Sequence, residues 1–211
     1  MAVVPPVLGR RVIQIQGLWW PSDVGDAWRH SLTHVQSIEW AITRCSRKRT
    51  AVQAGGNIGL WPRRLAASFA HVITFEPDAI SRDCVVVNVP ANVEVRPEAL
   101  GAAPGWCDIR HRGLGSHQVI AGDRVPVLAL DSLGLVDLDL LQLDIEGYEL
   151  EALEGARGTI AACRPLVQVE LRGFTAKYGH TDADVHAFLA GYGYREVSRQ
   201  PGSDVVFEAS R

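Results

Sequence analysis

Apolar residues recur along this chain with two alternating periods, and the alternation predicts an α/β protein. From Val24 to Cys45 the apolar positions Val24, Trp28, Leu32, Val35, Ile38, Ile42 and Cys45 fall three or four residues apart, the spacing of one amphipathic helix. Short β-prone runs follow, each succeeded by a helix-compatible stretch: strands near 51–54, 71–76, 93–96, 125–130, 138–144 and 164–171, with helices near 60–69, 79–87, 131–133 and 146–160. Thr181-Asp182-Ala183-Asp184 caps a helix running to Leu189, and 193–197 with 204–208 form a closing hairpin. Ahead of the first helix, Pro5-Pro6, Gly9, Gly17 and Pro21 predict an irregular or partly extended lead-in. Its Trp19-Trp20 pair is expected to pack on the domain surface or on a dimer mate rather than to act as a substrate lid. The segment 101–123 loosens into Gly-, His- and Arg-rich chain with room for a hairpin.

The chemistry sits where strands end. Ala51-Val52-Gln53-Ala54-Gly55-Gly56-Asn57-Ile58-Gly59 is a strand, a glycine turn and a helix start, with Pro62 suited to the first helical turn. Such a turn lets a ligand approach bare backbone amides. Glu76, 20 residues beyond Gly56, closes the second strand before Pro77, where an acid in a nucleotide-binding α/β fold accepts from ribose hydroxyls. Ala54-x-Gly56-x-x-Gly59 matches a dinucleotide fingerprint with alanine in its first place, so these two features alone admit a nicotinamide nucleotide or S-adenosylmethionine. The apolar run from Leu138 ends in Asp144-Ile145-Glu146-Gly147-Tyr148-Glu149, which sets carboxylates beside the cleft where chain order reverses. Glu146 and Glu149 also suit a helix start.

VQAGGNIG, TFEPD, PEALG, LDIEGYELEALEGA and RPLVQVE, in this order and spacing, resemble the FkbM-type methyltransferases, over roughly Thr50 to Glu170. The resemblance implies an S-adenosylmethionine-dependent enzyme with a class I methyltransferase Rossmann-like sheet. That sheet is mostly parallel, ends in an antiparallel hairpin and carries helices on both faces. It implies a lead-in and helix over 1–49 packed on a methyltransferase domain over 50–211, one structural domain overall. By the family pattern the turn Gln53, Gly55, Gly56, Asn57 and Gly59 cradles the cofactor's methionine part, Glu76 holds its ribose, and Glu98 with Ala99 lies near its adenine. Asp144 is the leading catalytic candidate, as base or as partner of the cofactor's amino group. Glu170, at the fifth strand's end, and His117, on a glycine-rich loop, are the others. The family also implies O-methylation of a small molecule or saccharide. Two departures stand out: many relatives have an acid at Gln53 and a lysine at Gln142, so this chain loses a charge facing the cofactor and a counter-ion for Asp144. They keep open a catalytically inactive assembly protein. A nicotinamide-dependent oxidoreductase is the other alternative, although no Tyr-x-x-x-Lys pair accompanies the turn.

Composition narrows the rest. The 211 residues fit one α/β domain, and a net charge of −3 gives no nucleic-acid footprint. The basic run Arg44 to Arg49 reads as a solvated helix end. Cys45, Cys84, Cys107 and Cys163 lack metal or CxxC spacing and read as reduced thiols of a cytoplasmic protein. No apolar run approaches a membrane span, and no signal peptide is apparent. His30 and His34 are spaced for a metal, but with no carboxylate or cysteine partner evident they read as a solvated pair; no residue is assigned as a metal ligand, and metal use stays open.

Overall fold

A computed structural model describes residues 12–111, 117–200 and 204–210. Pro5, Pro6, Gly9 and the centre of the His111–His117 loop lie outside the described residues. Strand β1 (Val12–Ile15) pairs with β2 (Leu18–Pro21) as a hairpin, where the sequence suggested irregular or partly extended chain. The hairpin has a reason to form: it carries Trp19 and Trp20 into a cluster with Val24, Ile58 and Cys84, and Trp20 is fully buried. The Asn88 side chain fixes it, accepting from Trp19 N–H (2.9 Å) and donating to the Trp19 (2.8 Å) and Ile58 (2.7 Å) carbonyls.

The predicted 24–45 helix is two helices, α1 (Ala27–His34) and α2 (Ile38–Arg44), joined by a 3-10 turn at Val35–Ser37. Trp28 and Leu32 pack toward the tryptophan cluster, whereas Val35, Ile38 and Ile42 pack on the central sheet. One straight helix presents one stripe, so the tighter turn redirects it.

The α/β succession follows: β3 (Thr50–Ala54), α3 (Leu60–Ala66), β4 (His71–Phe75), α4 (Ala79–Asn88), β5 (Val93–Arg96), β6 (Ala99–Leu100), β7 (Gly105–Arg110), β8 (Gln118–Leu128), β9 (Leu138–Leu143), α5 (Glu149–Glu154), α6 (Arg157–Cys163), β10 (Leu166–Glu170), α7 (Asp182–Gly191), β11 (Tyr194–Arg199) and β12 (Asp204–Ala209). A seven-stranded sheet has the order β11-β12-β10-β9-β3-β4-β5. Five strands are mutually parallel, and β12 runs antiparallel to β10 and β11. The loosened 101–123 segment supplies β7 and part of β8, which form a separate small sheet with β6. The predicted helix over 146–160 breaks after α5, because the Asp131 carboxylate caps a new helix by accepting from Gly158 (2.8 Å) and Thr159 (2.7 Å) N–H.

Val52, Ile73, Leu141, Leu143, Val167 and Val169 face α5, α6 and α7, while Ala51, Val72, Leu140 and Val206 face α2 and α3. On the α2 and α3 side the apolar layer gives way toward the strand ends to Thr74, Gln53, Gln142 and Gln168, in register on four adjacent strands and all fully buried. One period further come the carboxylates Asp144, Glu170 and Asp204, on three neighbouring strands. None of the described helices is long and apolar enough to cross a membrane. Cys45, Cys84 and Cys107 are buried and Cys163 is partly so; all four are free thiols, and burial pushes Cys45 and Cys84 up to about 12.

Candidate functional site

Chain order reverses between β3 and its neighbours β4 and β9, and the crevice opens at their carboxyl ends, as in other α/β sheets. Gly55 makes this possible. Its φ is +89°, and a Cβ there would lie 1.9 Å from the Asp144 carbonyl oxygen. The glycine turn therefore abuts the end of β9, and Asp144 N–H donates to the Ala54 carbonyl at 3.1 Å. Gly59, at φ +95°, begins α3.

Two chambers meet along this line. The first, about 700 Å³, is lined by Ala54, Gly55, Asn57, Phe75, Glu76 and Ala99, with Ile109, His117, Ile145 and Tyr148 opposite. The second, about 720 Å³, lies between α1 and the strand ends, lined by Ala27, His30, Ser31, His34, Glu170 and Arg172. Asn57, Trp61, Asp144 and Glu146 border both.

In the first chamber Glu76 is 3% exposed and accepts from Asn57 N–H (2.6 Å) and Asp78 N–H (2.8 Å). Burial outweighs these donors and pushes its carboxyl up to about 8. The Asn57 Oδ1 is buried and has no donor among the described residues, so it is an acceptor that a ligand can satisfy. Ala99 lines this chamber but Glu98 does not: Glu98 turns to Arg96, which donates to it at 2.8 Å. Gln53 also differs from expectation. Its side chain is fully buried one step below the crevice and accepts from the Thr74 hydroxyl, so its amide faces neither chamber. His117 lines the first chamber only, and burial holds its imidazole below the ordinary value.

The turn after β9 is tied by Glu149, which accepts from Ile145 and Gly147 N–H, each at 3.1 Å. Burial pushes Glu149 up to about 7. Glu146 adopts φ +61°, and Gly147 is required because a Cβ there would meet the Phe174 carbonyl oxygen at 2.3 Å. Lys177 reaches back to the Glu146 carbonyl (3.0 Å) and carboxylate (3.3 Å). The spacing of the three acids is thereby explained: Asp144 faces the cleft, Glu146 turns the chain and Glu149 holds the turn.

Asp144 and Glu170 come together in the second chamber, which His117 does not line; Asp144 also borders the first chamber, with His117. Burial raises Asp144 well above the carboxylate range, and the Glu170, Asp204, Glu149 and Glu146 carboxylates raise it further. Glu170 is also raised by burial, against the pull of the Arg172 guanidinium that donates to it. Two residues join them that sequence reasoning missed. His34 is not solvated: its side chain is only 10% exposed, and its Nε2 lies 3.1 Å from Asp204 Oδ2. Asp204, fully buried, accepts from the Ser37 hydroxyl at 2.5 Å. The stacked His30 and His34 rings were noticeable as a pair, but nothing local linked them to acids more than a hundred residues away.

The sequence profile described as the Methyltransferase FkbM domain matches residues 53–196. No curated protein matches the sequence. Among solved structures, a methyltransferase FkbM from Methylobacillus flagellatus is 18% identical with a TM-score of 0.50, over 76% of this chain and 43% of that one. The chain thus spans less than half of that protein's length. Magnesium protoporphyrin IX methyltransferase from Synechocystis, solved with bound SAH, is 13% identical with a TM-score of 0.54, over 97% of this chain and 91% of that one. A TehB-like SAM-dependent methyltransferase from Corynebacterium glutamicum is 14% identical with a TM-score of 0.51, over 90% of this chain and 97% of that one. At these identities the likeness is one of fold.

Proposed function

The chain belongs to the FkbM methyltransferase family, whose cofactor is S-adenosylmethionine, and from that premise we propose that it methylates a hydroxyl oxygen of a small molecule or saccharide held in the second chamber. The observation that carries this reading is the junction of the two chambers at Asp144 and Trp61. A transfer enzyme must hold two reactants end to end and exclude water from the meeting point.

The residues of the first chamber fit the cofactor. Asn57 brings an unpaired buried acceptor, Gly55 leaves the backbone bare, and Glu76 presents a carboxyl at the end of β4, where ribose hydroxyls are met in this class of sheet. Tyr148, Phe75 and Ala99 supply apolar wall for a planar base. When bound, the cofactor supplies a methyl group already activated on a sulfonium. The chain's own task is then to orient the acceptor and to take its proton. Asp144 suits the second role, because its raised carboxyl is a stronger base than an ordinary aspartate once ionised. Glu170 stands beside it as the alternative acceptor of that proton. His117, on the cofactor side, is less well placed for an acceptor in the second chamber.

Gln53 no longer argues for an inactive assembly protein, since its amide never faces the cleft. The test is transfer of labelled methyl from S-adenosylmethionine to pools of sugars and polyols, with products hydrolysed to locate the methyl group. Methyl found on nitrogen or carbon overturns the oxygen assignment. Absence of transfer across a broad screen, from a protein that binds the cofactor, favours the assembly protein.

A further inference from the structure

The second chamber ends in a cluster of buried carboxyl groups for which few cations are at hand. Asp144, Glu170 and Asp204 occupy successive strand ends on one face of the sheet, and the layer beneath them is the fully buried amide row Gln53, Gln142 and Gln168. Among the described residues both amide atoms of Gln142 and of Gln168 lack a partner, as does Oδ1 of Asp204, itself fully buried. Carboxylates out of water require a counter-charge, and unpartnered polar groups beside them offer none. Arg172 serves Glu170 from one side, and Lys177 serves Glu146. Asp144 has no basic side chain of Arg or Lys among its ion pairs in the described residues.

Over this floor α1 brings His34. One ligand atom from each of His34, Asp144 and Glu170 lies within 4.8 Å of the other two. Ligands of one cation with bonds of about 2.1 Å sit roughly 3–4 Å apart, so side-chain rotation of less than about an ångström closes the set. Asp204 Oδ2 lies 3.1 Å from His34 Nε2 without a hydrogen bond between them and is itself held by Ser37, so a third carboxylate stands beside the ring, where an outer partner of a metal-binding histidine belongs. We infer that His34, Asp144 and Glu170 form a divalent-cation site at the floor of the second chamber. One imidazole and two carboxylates favour a cation of intermediate preference such as Mn2+ over Mg2+, which prefers oxygen alone. Three protein ligands leave positions open toward the chamber. There the cation orients an acceptor oxygen and lowers its pKa, and the oxygen of the Asp144 carboxylate that does not bind the cation takes the proton. This role rests on the methyltransferase reading, whereas the binding of the cation rests on the three ligands alone.

The test is titration of the full chain with Mn2+ alone, followed by loss of the free-ion EPR signal, beside calorimetric titration with S-adenosylhomocysteine. One Mn2+ should bind per chain. His34→Gln and Glu170→Gln should each weaken it about tenfold or more, with Asp204→Asn having a smaller effect. S-adenosylhomocysteine binding by His34→Gln should persist and report that the variant is folded. If the wild type binds S-adenosylhomocysteine but takes up no Mn2+ at millimolar concentration, the cation site is refuted and the methyltransferase reading stands. If Mn2+ binds equally to the folded His34→Gln variant, the site is also refuted. Mn2+ binding that depends on His34 in a protein blind to S-adenosylhomocysteine upholds the site and removes the methyltransferase reading.

Discussion

Replacing Glu76 by glutamine tests how a buried carboxyl serves the first chamber. In the free protein burial lifts Glu76 from an ordinary 4.5 to about 8, so at neutral pH it is mostly protonated. Ribose hydroxyls donating to it stabilise the ionised form, so binding expels a proton. If the complex returns the carboxyl to its ordinary range, linkage makes the dissociation constant about 20-fold larger at pH 6.5 than at pH 8.5. The stability of the free protein runs the opposite way. A raised carboxyl pKa contributes stability that is complete below the unfolded value and is lost as pH rises through about 8. By pH 7 the loss amounts to about 3 kcal/mol. Glu76→Gln removes both slopes, leaving whatever pH dependence the ligand and the other groups bring. It should also bind more weakly above pH 8, by about 1–2 kcal/mol, because a charge-assisted acceptor becomes neutral. Calorimetry with S-adenosylhomocysteine in two buffers of different ionisation enthalpy counts the released proton directly, and urea unfolding across the same pH range measures the stability slope. Identical pH dependence of affinity in wild type and variant would refute the placing of Glu76 on the ribose.

Four further outcomes are expected. S-adenosylhomocysteine should bind at one site per chain and NAD should not bind, as calorimetry will show; nicotinamide binding alone would contradict the family's cofactor. Gly55→Ala, which sets a Cβ 1.9 Å from the Asp144 carbonyl at φ +89°, should cost about 2 kcal/mol or more of stability and abolish measurable cofactor binding, checked by thermal unfolding and calorimetry. Asn88→Ala removes three hydrogen bonds that hold the tryptophan hairpin and the Ile58 turn, and should lower urea-unfolding stability by about 2–4 kcal/mol. Once an acceptor is found, Asp144→Asn should cut kcat about a hundredfold or more while S-adenosylhomocysteine still binds; undiminished turnover would move the base to Glu170.

The strand ends were legible because their signals are local. A glycine turn after an apolar run, an acid before a proline, and acids after Leu143 each announce themselves within a few residues, and β3, β4, β9 and the closing hairpin lie where the pattern put them. Helix breaks were not legible. The 3-10 turn at 35–37 and the restart at Arg157 depend on which cluster each face meets and on a cap from Asp131, 26 residues earlier in the chain. Extended chain near Val12–Pro21 was among the expectations, but its pairing as a hairpin was not, because Asn88 gives the tryptophans somewhere to go only in the folded chain.

Side-chain direction was the harder matter. Period two fixes which residues share a face, but whether Gln53 looks into the cleft or into the core depends on the helices above that face, and here α2 and α3 bury it. Glu98 likewise follows Arg96 rather than the chamber. The meeting of His34 with Asp144, Glu170 and Asp204 spans residues 110 to 170 positions apart, and no pattern in the sequence encodes such a distance. The sequence by itself determined the succession of strands and helices and the acids that end the strands, since both follow from neighbouring residues. Only the tertiary structure decided which of those acids share one chamber with a histidine from the first helix, because that depends on how a sheet of fixed order is covered.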